Sequence, residues 1–215
     1  MCLVAMSSWV IIPIKCLNEA KTSLKEIRPE NREKLVLAML TDMLNVIGHA
    51  SSISGAAVVS PDKKVLDLVS SRGTVAVVDP GLGLNGALKL AIKQVIGLGA
   101  SSVLIFPGDL PLLKTDDVDN LNTMAINKHD VVIAPSKANG TNALLLQPPD
   151  IIDLKFGGES FPLHLAEVIR SGINPRIYRS PTVAFDVDET EDLLKIESSG
   201  GGTATYNFLL SLRQK

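Results

Sequence analysis

The chain has 215 residues and a net charge of −2 at pH 7, with 46% hydrophobic and 20% charged residues. These values are ordinary for one globular domain, whose core at this length needs no disulfide bonds. The chain lacks the basic surplus of nucleic-acid-binding proteins, and no apolar run reaches the roughly 18 residues of a membrane span. We therefore expect neither a nucleic acid nor a membrane as partner.

The two cysteines, Cys2 and Cys16, form neither a disulfide framework nor a zinc site, which favours a reducing, cytoplasmic location. The apolar start of the chain has no cationic segment before it and is interrupted by two serines, so it does not resemble a signal peptide. We predict an N-terminal extension at residues 1–8 and one domain at residues 9–215, with Met6 as an alternative start.

Strands and helices are predicted to alternate along the chain. Short apolar runs bounded by turn residues predict strands at 9–14, 56–59, 75–78, 103–106, 131–134, 143–146, 176–178 and 183–188. Helical periodicity predicts helices at 30–47, 61–72, 87–96, 115–126, 162–171, 189–196 and 205–213, with N-caps at Ser60, Thr115 and Ser160, and at Asn85 if residues 79–87 form an ordinary turn. This order predicts an α/β domain with a mainly parallel sheet and an antiparallel edge after about residue 138.

The strand at 103–106 is the centre of the predicted fold, because its continuous apolar run suits burial on both faces of a parallel sheet. Pro107 and Gly108 end it, and Asp109 follows directly. A carboxylate at the end of a central strand lies at the usual ligand crevice and can hold magnesium, which prefers oxygen ligands. The alternative is an Asp that only turns the chain.

The earlier polar loops each allow a binding and a structural interpretation. Lys15 and Lys21 follow the first strand and can serve as point charges for phosphate, or as residues of a solvated loop. Residues 79–87 form a glycine-bearing loop before a helix, suited to close approach of a nucleotide or to an ordinary turn capped by Asn85. The loop matches neither a Walker A motif nor a dinucleotide-binding fingerprint.

The later polar loops supply further candidates: Thr141 and Asn142, the segment Gly157–Ser160, and the acids Asp186 and Asp188. His164 lies one helical turn after Ser160, as a ligand or as a structural histidine. Loops at the carboxyl ends of strands converge on one crevice. Lysines, glycines and separated acids gathered there suit a nucleoside triphosphate with magnesium. No nucleophile signature is present, so positioning and charge neutralisation are favoured over a covalent intermediate.

These motifs together resemble the 2-phospho-L-lactate guanylyltransferases of coenzyme F(420) biosynthesis, within the nucleotidyltransferase superfamily. The resemblance covers about residues 9–197, and the order and spacing of its short motifs make it specific. The matching pieces are Ile12-Pro13-Ile14-Lys15, Ala20-Lys21-Thr22, Gly83-Leu84-Asn85-Gly86-Ala87, Pro107-Gly108-Asp109-Leu110-Pro111-Leu112, Gly140-Thr141-Asn142-Ala143-Leu144, Ser160-Phe161 with His164, Phe185-Asp186-Val187-Asp188 and Glu191-Asp192-Leu193.

The resemblance implies a single-domain fold like that of the nucleotide-diphospho-sugar transferases (glycosyltransferase-A-like), with a mixed, mostly parallel sheet flanked by helices. It also implies that the phosphate of 2-phospho-L-lactate, or of phosphoenolpyruvate, attacks the α-phosphorus of GTP and releases pyrophosphate. The implied catalytic residues are Lys15, Lys21 and Asp109. The implied Mg²⁺ ligands are Asp109 and Asp188, with Asp186 as a second candidate. Implied nucleotide contacts are Lys15, Lys21, Leu82, Gly83, Leu84, Asn85 and Pro107. Implied acceptor contacts are Thr141, Asn142, Gly157, Ser160 and His164.

The sequence departs from the family pattern at Ser23, where the family's first loop usually has an Arg that would help to hold phosphate. Lys25 or Arg28 are the candidate replacements. Two other functions stay open from the residues alone: a nucleotidyltransferase of the same fold with another nucleotide or acceptor, and a catalytically silent nucleotide-binding subunit. A homodimer is the expected assembly, although no residue pattern fixes it.

Overall fold

The computed structural model describes residues 7–213. The strands are β1 (Ser8–Pro13), β2 (Gly55–Ser60), β3 (Val75–Val78), β4 (Ser102–Ile105), β5 (Asp130–Pro135), β6 (Thr141–Gln147) and β7 (Arg176–Ile177). The helices are α1 (Pro29–His49), α2 (Lys63–Ser70), α3 (Gly83–Gly97), α4 (Thr115–Thr123), α5 (Ser160–Arg170), α6 (Thr190–Ser199) and α7 (Ala204–Arg213). A short 3-10 helix, Leu17–Glu19, follows β1.

The seven strands form one sheet in the order β3-β2-β1-β4-β6-β5-β7. All neighbouring pairs are parallel except those of β6, which runs antiparallel to both β4 and β5. The mainly parallel sheet is confirmed, but the antiparallel strand is not at the edge. β5 and β6 are joined by residues 136–140 only, and so short a connection joins antiparallel neighbours rather than crossing over the sheet. The hairpin therefore places β6 inside the sheet.

The sheet is covered on both faces, which gives the domain three layers. Side chains alternate between the faces of a strand, so Val10 and Ile12 of β1 pack on one side and Ile11 on the other. The first side is covered by α1, α2, α4, α6 and α7, and the second by α3 and α5. The aliphatic composition of the strands is explained by this burial on both faces.

Four predicted N-caps are wrong. Ser60 is the last residue of β2, and the Asp62 side chain instead caps α2 by accepting the backbone N–H of Lys64 at 2.9 Å. Asn85 lies inside α3, which begins two residues earlier at Gly83. Thr115 and Ser160 are the first residues of their helices, each one position after the cap. Helix α4 also ends at Thr123 rather than at Ile126.

The predicted strand at 183–188 is also wrong, because the segment pairs with loops instead of a strand. Phe185 and Val187 are buried while Asp186 and Asp188 are not, and this alternation imitates the pattern of a strand. The backbone is held at two points, where the Lys137 N–H donates to the Ala184 carbonyl and the Val187 N–H donates to the Asp109 carbonyl. The second contact brings the two acidic segments together.

The N-terminal boundary differs slightly from the prediction, because Ser8 already pairs with Ser102 in the sheet. The backbone of Ser7 is also bonded to Ser101, which fixes the entry into β1. Cys2, Met6 and the rest of the predicted extension up to residue 6 lie outside the described residues. Within residues 7–213, no helix combines the length and apolar character that crossing a membrane requires.

Replacement of Gly108 by Ala is expected to destabilise the fold, because a Cβ there would overlap the Cδ1 atom of the buried Ile14. Overpacking of this kind costs about 1–3 kcal/mol. The matched control is Gly97→Ala in α3, where a Cβ meets nothing within 4 Å. Urea unfolding should show a lower free energy of unfolding for Gly108→Ala, and an unchanged one, or one higher by up to about 1 kcal/mol, for the control. Equal stability of the two variants would contradict the close packing of Gly108.

Candidate active site

Three loops meet around the ammonium group of Lys21 at the carboxyl edge of the sheet. Its Nζ lies 2.5 Å from Oδ2 of Asp109, which follows β4, and 3.2 Å from Oδ1 of Asp188, which precedes α6. The Lys21 side chain is only 11% exposed. Burial opposes its charge, but the two carboxylates outweigh burial and raise the pKa of Lys21 above its ordinary value of 10.5. The lysine therefore stays charged at neutral pH.

The backbone around this ion pair is constrained. Lys21 adopts a left-handed conformation with φ of 54°, which costs a non-glycine residue roughly 1 kcal/mol. Ser23, where the family pattern has an Arg, donates its hydroxyl to the carbonyl of Asp188 at 2.7 Å. The loop after β1 is thus attached to the acidic segment by the Lys21–Asp188 ion pair and by the Ser23 hydroxyl. Ser23 therefore binds the backbone of the protein at the position where the family's Arg is expected to hold phosphate.

A third carboxylate, Asp186, lies beside the pair. Burial, and then the negative charges of Asp109 and Asp188, raise the pKa of Asp186 above its ordinary value. Asn142 is the second residue of β6. Its side-chain amide donates an Nδ2 hydrogen to the carbonyl of Val183 and also contacts Asp186. Asn142 is buried, and its hydrogen bond to Val183 holds the chain that leads into the acidic segment.

The donor set of this cluster suits magnesium. Oδ1 of Asp109 is buried and has no hydrogen-bond donor among the described residues, which leaves one carboxylate oxygen available as a ligand. Residues 7–213 contain no group of three or more His, Cys, Asp or Glu side chains placed to hold a metal ion by themselves. Magnesium is typically bound by one or two carboxylates that share it with substrate phosphates. The cluster fits that partial role rather than a closed protein site.

A second group of predicted residues surrounds the start of β6. The backbone N–H of Thr141 donates to Oγ of Ser160 at 2.9 Å, and Oγ1 of Thr141 lies 2.9 Å from Nδ1 of His164. The backbone N–H of Lys155 donates to Nε2 of His164 at 3.0 Å. His164 is fully buried with both ring nitrogens bonded, so direct contact between its ring and an acceptor is not compatible with this arrangement. Burial lowers the pKa of His164 to about 4.

The predicted nucleotide turn begins with Asp79, whose side chain accepts the backbone N–H groups of Gly81 and Leu82 at 2.9 and 3.0 Å. Leu82 and Gly83 are exposed and open to a ligand, while Leu84 is half-buried. Asn85 points elsewhere. Its side-chain amide donates to the carbonyl of Phe156 and accepts the backbone N–H of Phe156, each at 2.9 Å. Asn85 thus ties this turn to the loop before α5.

The remaining predicted residues lie along the same edge. Lys15 is exposed directly after β1, Pro107 is half-buried before Asp109, and Gly157 is exposed between Phe156 and α5. The structure therefore collects all the predicted loops, although Asn85, Asn142 and His164 bond to the protein itself.

Three contributing residues were not predicted as part of the site: Ser23, Asp62 and Phe156. Asp62 accepts the backbone N–H of Leu17 at 3.0 Å and so holds the chain after Lys15. The Phe156 ring packs edge-on against the His164 ring, with centroids 4.7 Å apart. Only Asp62 had a usable signal, because an Asp after Pro at a helix start is a common cap.

Solved structures with similar folds are nucleotidyltransferases and related enzymes. A putative nucleotide-diphospho-sugar transferase from Desulfovibrio desulfuricans superposes with a TM-score of 0.78 and 18% identity, covering 96% of this chain and 95% of that one. A nucleotidyl transferase from Methanothermobacter superposes with a TM-score of 0.66 and 15% identity, covering 96% and 99%. At these identities the likeness establishes the fold, and the predicted nucleotide-diphospho-sugar transferase-like architecture is confirmed.

Sequence relatives are closer. The phosphoenolpyruvate guanylyltransferase of Rubrobacter xylanophilus is 38% identical over 198 residues, which are 91% of this chain and 96% of that protein. The 2-phospho-L-lactate guanylyltransferase of Methanocaldococcus jannaschii is 34% identical over 205 residues, 94% of this chain and 88% of that protein. The family model described as "Guanylyl transferase CofC like" matches residues 8–215. The chain therefore belongs to the CofC-like guanylyltransferase family, as the sequence motifs predicted.

Proposed function

We propose that this protein transfers GMP from GTP to a small phosphorylated acid, 2-phospho-L-lactate or phosphoenolpyruvate, in coenzyme F(420) biosynthesis. An oxygen of the acceptor phosphate forms a bond to the α-phosphorus of GTP. The bond from that phosphorus to the bridging oxygen breaks, and pyrophosphate leaves with the electron pair. The observation that carries this proposal is the Lys21, Asp109 and Asp188 cluster at the carboxyl edge of a nucleotidyltransferase fold. The names of the two relatives described above support the choice of substrates.

Charge neutralisation is the main task of the lysines, because little covalent chemistry is required of the protein in phosphoryl transfer. Lys21 keeps its charge at neutral pH and lies at the junction of three loops. Lys15 is exposed on the same edge and faces no competing burial cost. We assign both lysines to the triphosphate, where they offset the charge that develops on the leaving pyrophosphate.

Magnesium would be held by Asp109 and Asp188, with Asp186 as the third candidate. When bound, it would neutralise phosphate charge and orient the two reacting phosphates. The unpaired oxygen of Asp109 and the raised pKa of Asp186 support this assignment, since both describe carboxylates whose negative charge lacks a full complement of partners. Lys21 supplies part of that complement and keeps the acids close to one another.

The acceptor is assigned to the residues at the start of β6 and just before α5, where Gly157 is exposed and the buried Thr141 and Ser160 carry hydroxyl groups. Leu82, Gly83 and Pro107 are assigned to the nucleotide. The same proposal places the enzyme in a reducing cytoplasm, where a free thiol such as Cys16 is ordinary. The homodimer stays a prediction that light scattering of the purified protein will measure.

Incubation of the protein with GTP, magnesium and phosphoenolpyruvate or 2-phospho-L-lactate should release pyrophosphate in equal amount to the guanylylated acid. Parallel reactions with ATP, CTP and UTP test the nucleotide, and a mixture of both acids in competition ranks the acceptors. Product with another nucleotide would establish a different transferase of this fold. No pyrophosphate with any nucleotide would leave the silent nucleotide-binding subunit as the function.

Asp109→Asn should keep the fold and lower turnover by at least about a hundredfold, because the variant loses charge at the reacting phosphates. The matched control is Asp67→Asn, which removes an exposed carboxylate paired only with Lys63 on α2. The control should retain turnover within about twofold, since exposed pairs contribute little. Near-normal turnover of Asp109→Asn would remove this residue from the site.

Asp186→Asn should raise the urea midpoint of the metal-free protein at pH 7. The folded pKa of Asp186 lies above its ordinary value of 3.8, so the ionised carboxylate destabilises the fold at pH values above that raised pKa. The advantage of the variant should shrink as the pH falls and vanish below about 3.8, where the carboxyl is protonated in both states. Added magnesium should stabilise the original protein more than the variant. A lower midpoint for the variant at pH 7 without magnesium would contradict the crowding of the three acids.

A further inference from the structure

Two side chains hold the short segment Lys155–Phe156, which leads into Gly157 and α5. From α3, the Asn85 amide bonds to both the N–H and the carbonyl of Phe156 at 2.9 Å. From α5, Nε2 of His164 accepts the N–H of Lys155 at 3.0 Å. The Phe156 ring also packs edge-on against the His164 ring at an interplanar angle of 71°. The backbone of this segment is therefore fixed by one side chain from α3 and one from α5.

The bond from Lys155 determines which nitrogen of His164 carries the proton. A backbone N–H can only donate, so Nε2 must be the unprotonated nitrogen of a neutral ring. The proton is then on Nδ1, which lies 2.9 Å from Oγ1 of Thr141, and the Ser160 carbonyl is a second acceptor beside the ring. Burial favours this neutral form. Oγ1 of Thr141 thus accepts from His164 and keeps its own hydrogen to donate elsewhere.

Ser160 is in the same situation as Thr141. Its Oγ accepts the backbone N–H of Thr141 at 2.9 Å, so its hydroxyl hydrogen is also left to donate. Both residues are buried, and two neighbouring hydroxyls whose protein partners are both donors favour a ligand that brings acceptor oxygens. A carboxylate or phosphate supplies several such oxygens, whereas an ammonium cation supplies none.

We propose that Asn85 and His164 are positioning residues of the acceptor site. Together they fix the Lys155–Phe156 segment, and His164 makes the Thr141 hydroxyl a hydrogen-bond donor to the anionic acceptor. The proposal rests on the function proposed above and specifies how its acceptor is held. It has one consequence that the sequence motif does not suggest. Asn85 belongs to the nucleotide turn, yet its replacement should weaken binding of the acceptor rather than of GTP.

The experiment uses the full chain and three variants, Asn85→Ala, His164→Gln and His164→Asn. Gln keeps an acceptor near the position of Nε2 and loses the donor to Thr141, whereas Asn keeps a donor near Nδ1 and loses the acceptor for Lys155. Leu163→Ala is the matched control, because Leu163 is the neighbour of His164 on α5 and is 51% exposed. Dissociation constants for phosphoenolpyruvate and for GTP are measured by calorimetry with magnesium present, and KM values are measured for both substrates.

We expect Asn85→Ala and His164→Gln to raise the acceptor dissociation constant and KM about tenfold, the size of one lost hydrogen bond, with the GTP values within about twofold. His164→Asn should do less harm than His164→Gln, and Leu163→Ala should change neither substrate. Adding His164→Gln to Thr141→Val should weaken acceptor binding no further, because the histidine acts through a hydroxyl that is then absent. A residue with only a structural role would instead lower the unfolding midpoint and leave this selectivity unchanged.

Three results would overturn the proposal. The first is a loss of GTP affinity in Asn85→Ala as large as the loss of acceptor affinity, which would make Asn85 a nucleotide ligand. The second is an undiminished effect of His164→Gln in the Thr141→Val background. The third is an original protein that binds neither phosphoenolpyruvate nor 2-phospho-L-lactate. A protein that binds the acid without releasing pyrophosphate would defeat the proposed function instead, and the binding constants would still decide the roles of Asn85 and His164.

Discussion

The contact of Lys21 with Asp109 and Asp188 is the interaction on which the rest of the site depends. Burial and the negative charges of Asp109 and Asp188 raise the free energy of ionising Asp186, so a cation beside these acids is favourable. Lys21 supplies that cation from the loop after β1, at the cost of a left-handed backbone. The ion pair is also a mechanical link, since it joins the loop after β1, the loop after β4 and the segment before α6. Because Lys21 contacts one carboxylate from each of the other two segments, the three are held as one unit.

The reversed direction of β6 explains how a second group of residues reaches the same place. In a fully parallel sheet the start of a strand lies at the edge opposite the crevice. β6 runs antiparallel to β4, so its first residues, Thr141 and Asn142, lie at the carboxyl edge instead. Asn142 then supports the acidic segment, while its neighbour Thr141 faces Ser160 and His164. One hairpin thus links the acidic segment to the residues around Ser160 and His164.

The sequence predicted the elements and loops well, because both depend on local signals. Apolar runs and helical periodicity report burial directly, and the convergence of loops follows from a parallel sheet. The errors at the site arise from distant partners. Asn85 is bonded to a backbone 71 residues away, and Thr141 contacts a histidine 23 residues later. The segment 183–188 alternates like a strand because Phe185 and Val187 enter the core, although its backbone pairs with loops. No periodicity reveals such partners.

The charges of the site explain why a cation is expected to enter with the substrates. When ionised, Asp109, Asp186 and Asp188 contribute three negative charges, and Lys15 and Lys21 contribute two positive ones. These five side chains therefore have a net charge of −1 when all are ionised, and a triphosphate and a phosphorylated acid are both strongly anionic. Attraction between the lysines and phosphate cannot by itself offset this excess. Magnesium shared between the aspartates and the phosphates would make the net charge of this group of side chains positive. The orientation of the acceptor would then be set by uncharged donors, the hydroxyls of Thr141 and Ser160. In the proposed mechanism the lysines and magnesium attract the substrates, and the hydroxyl that His164 orients sets the position of the acceptor.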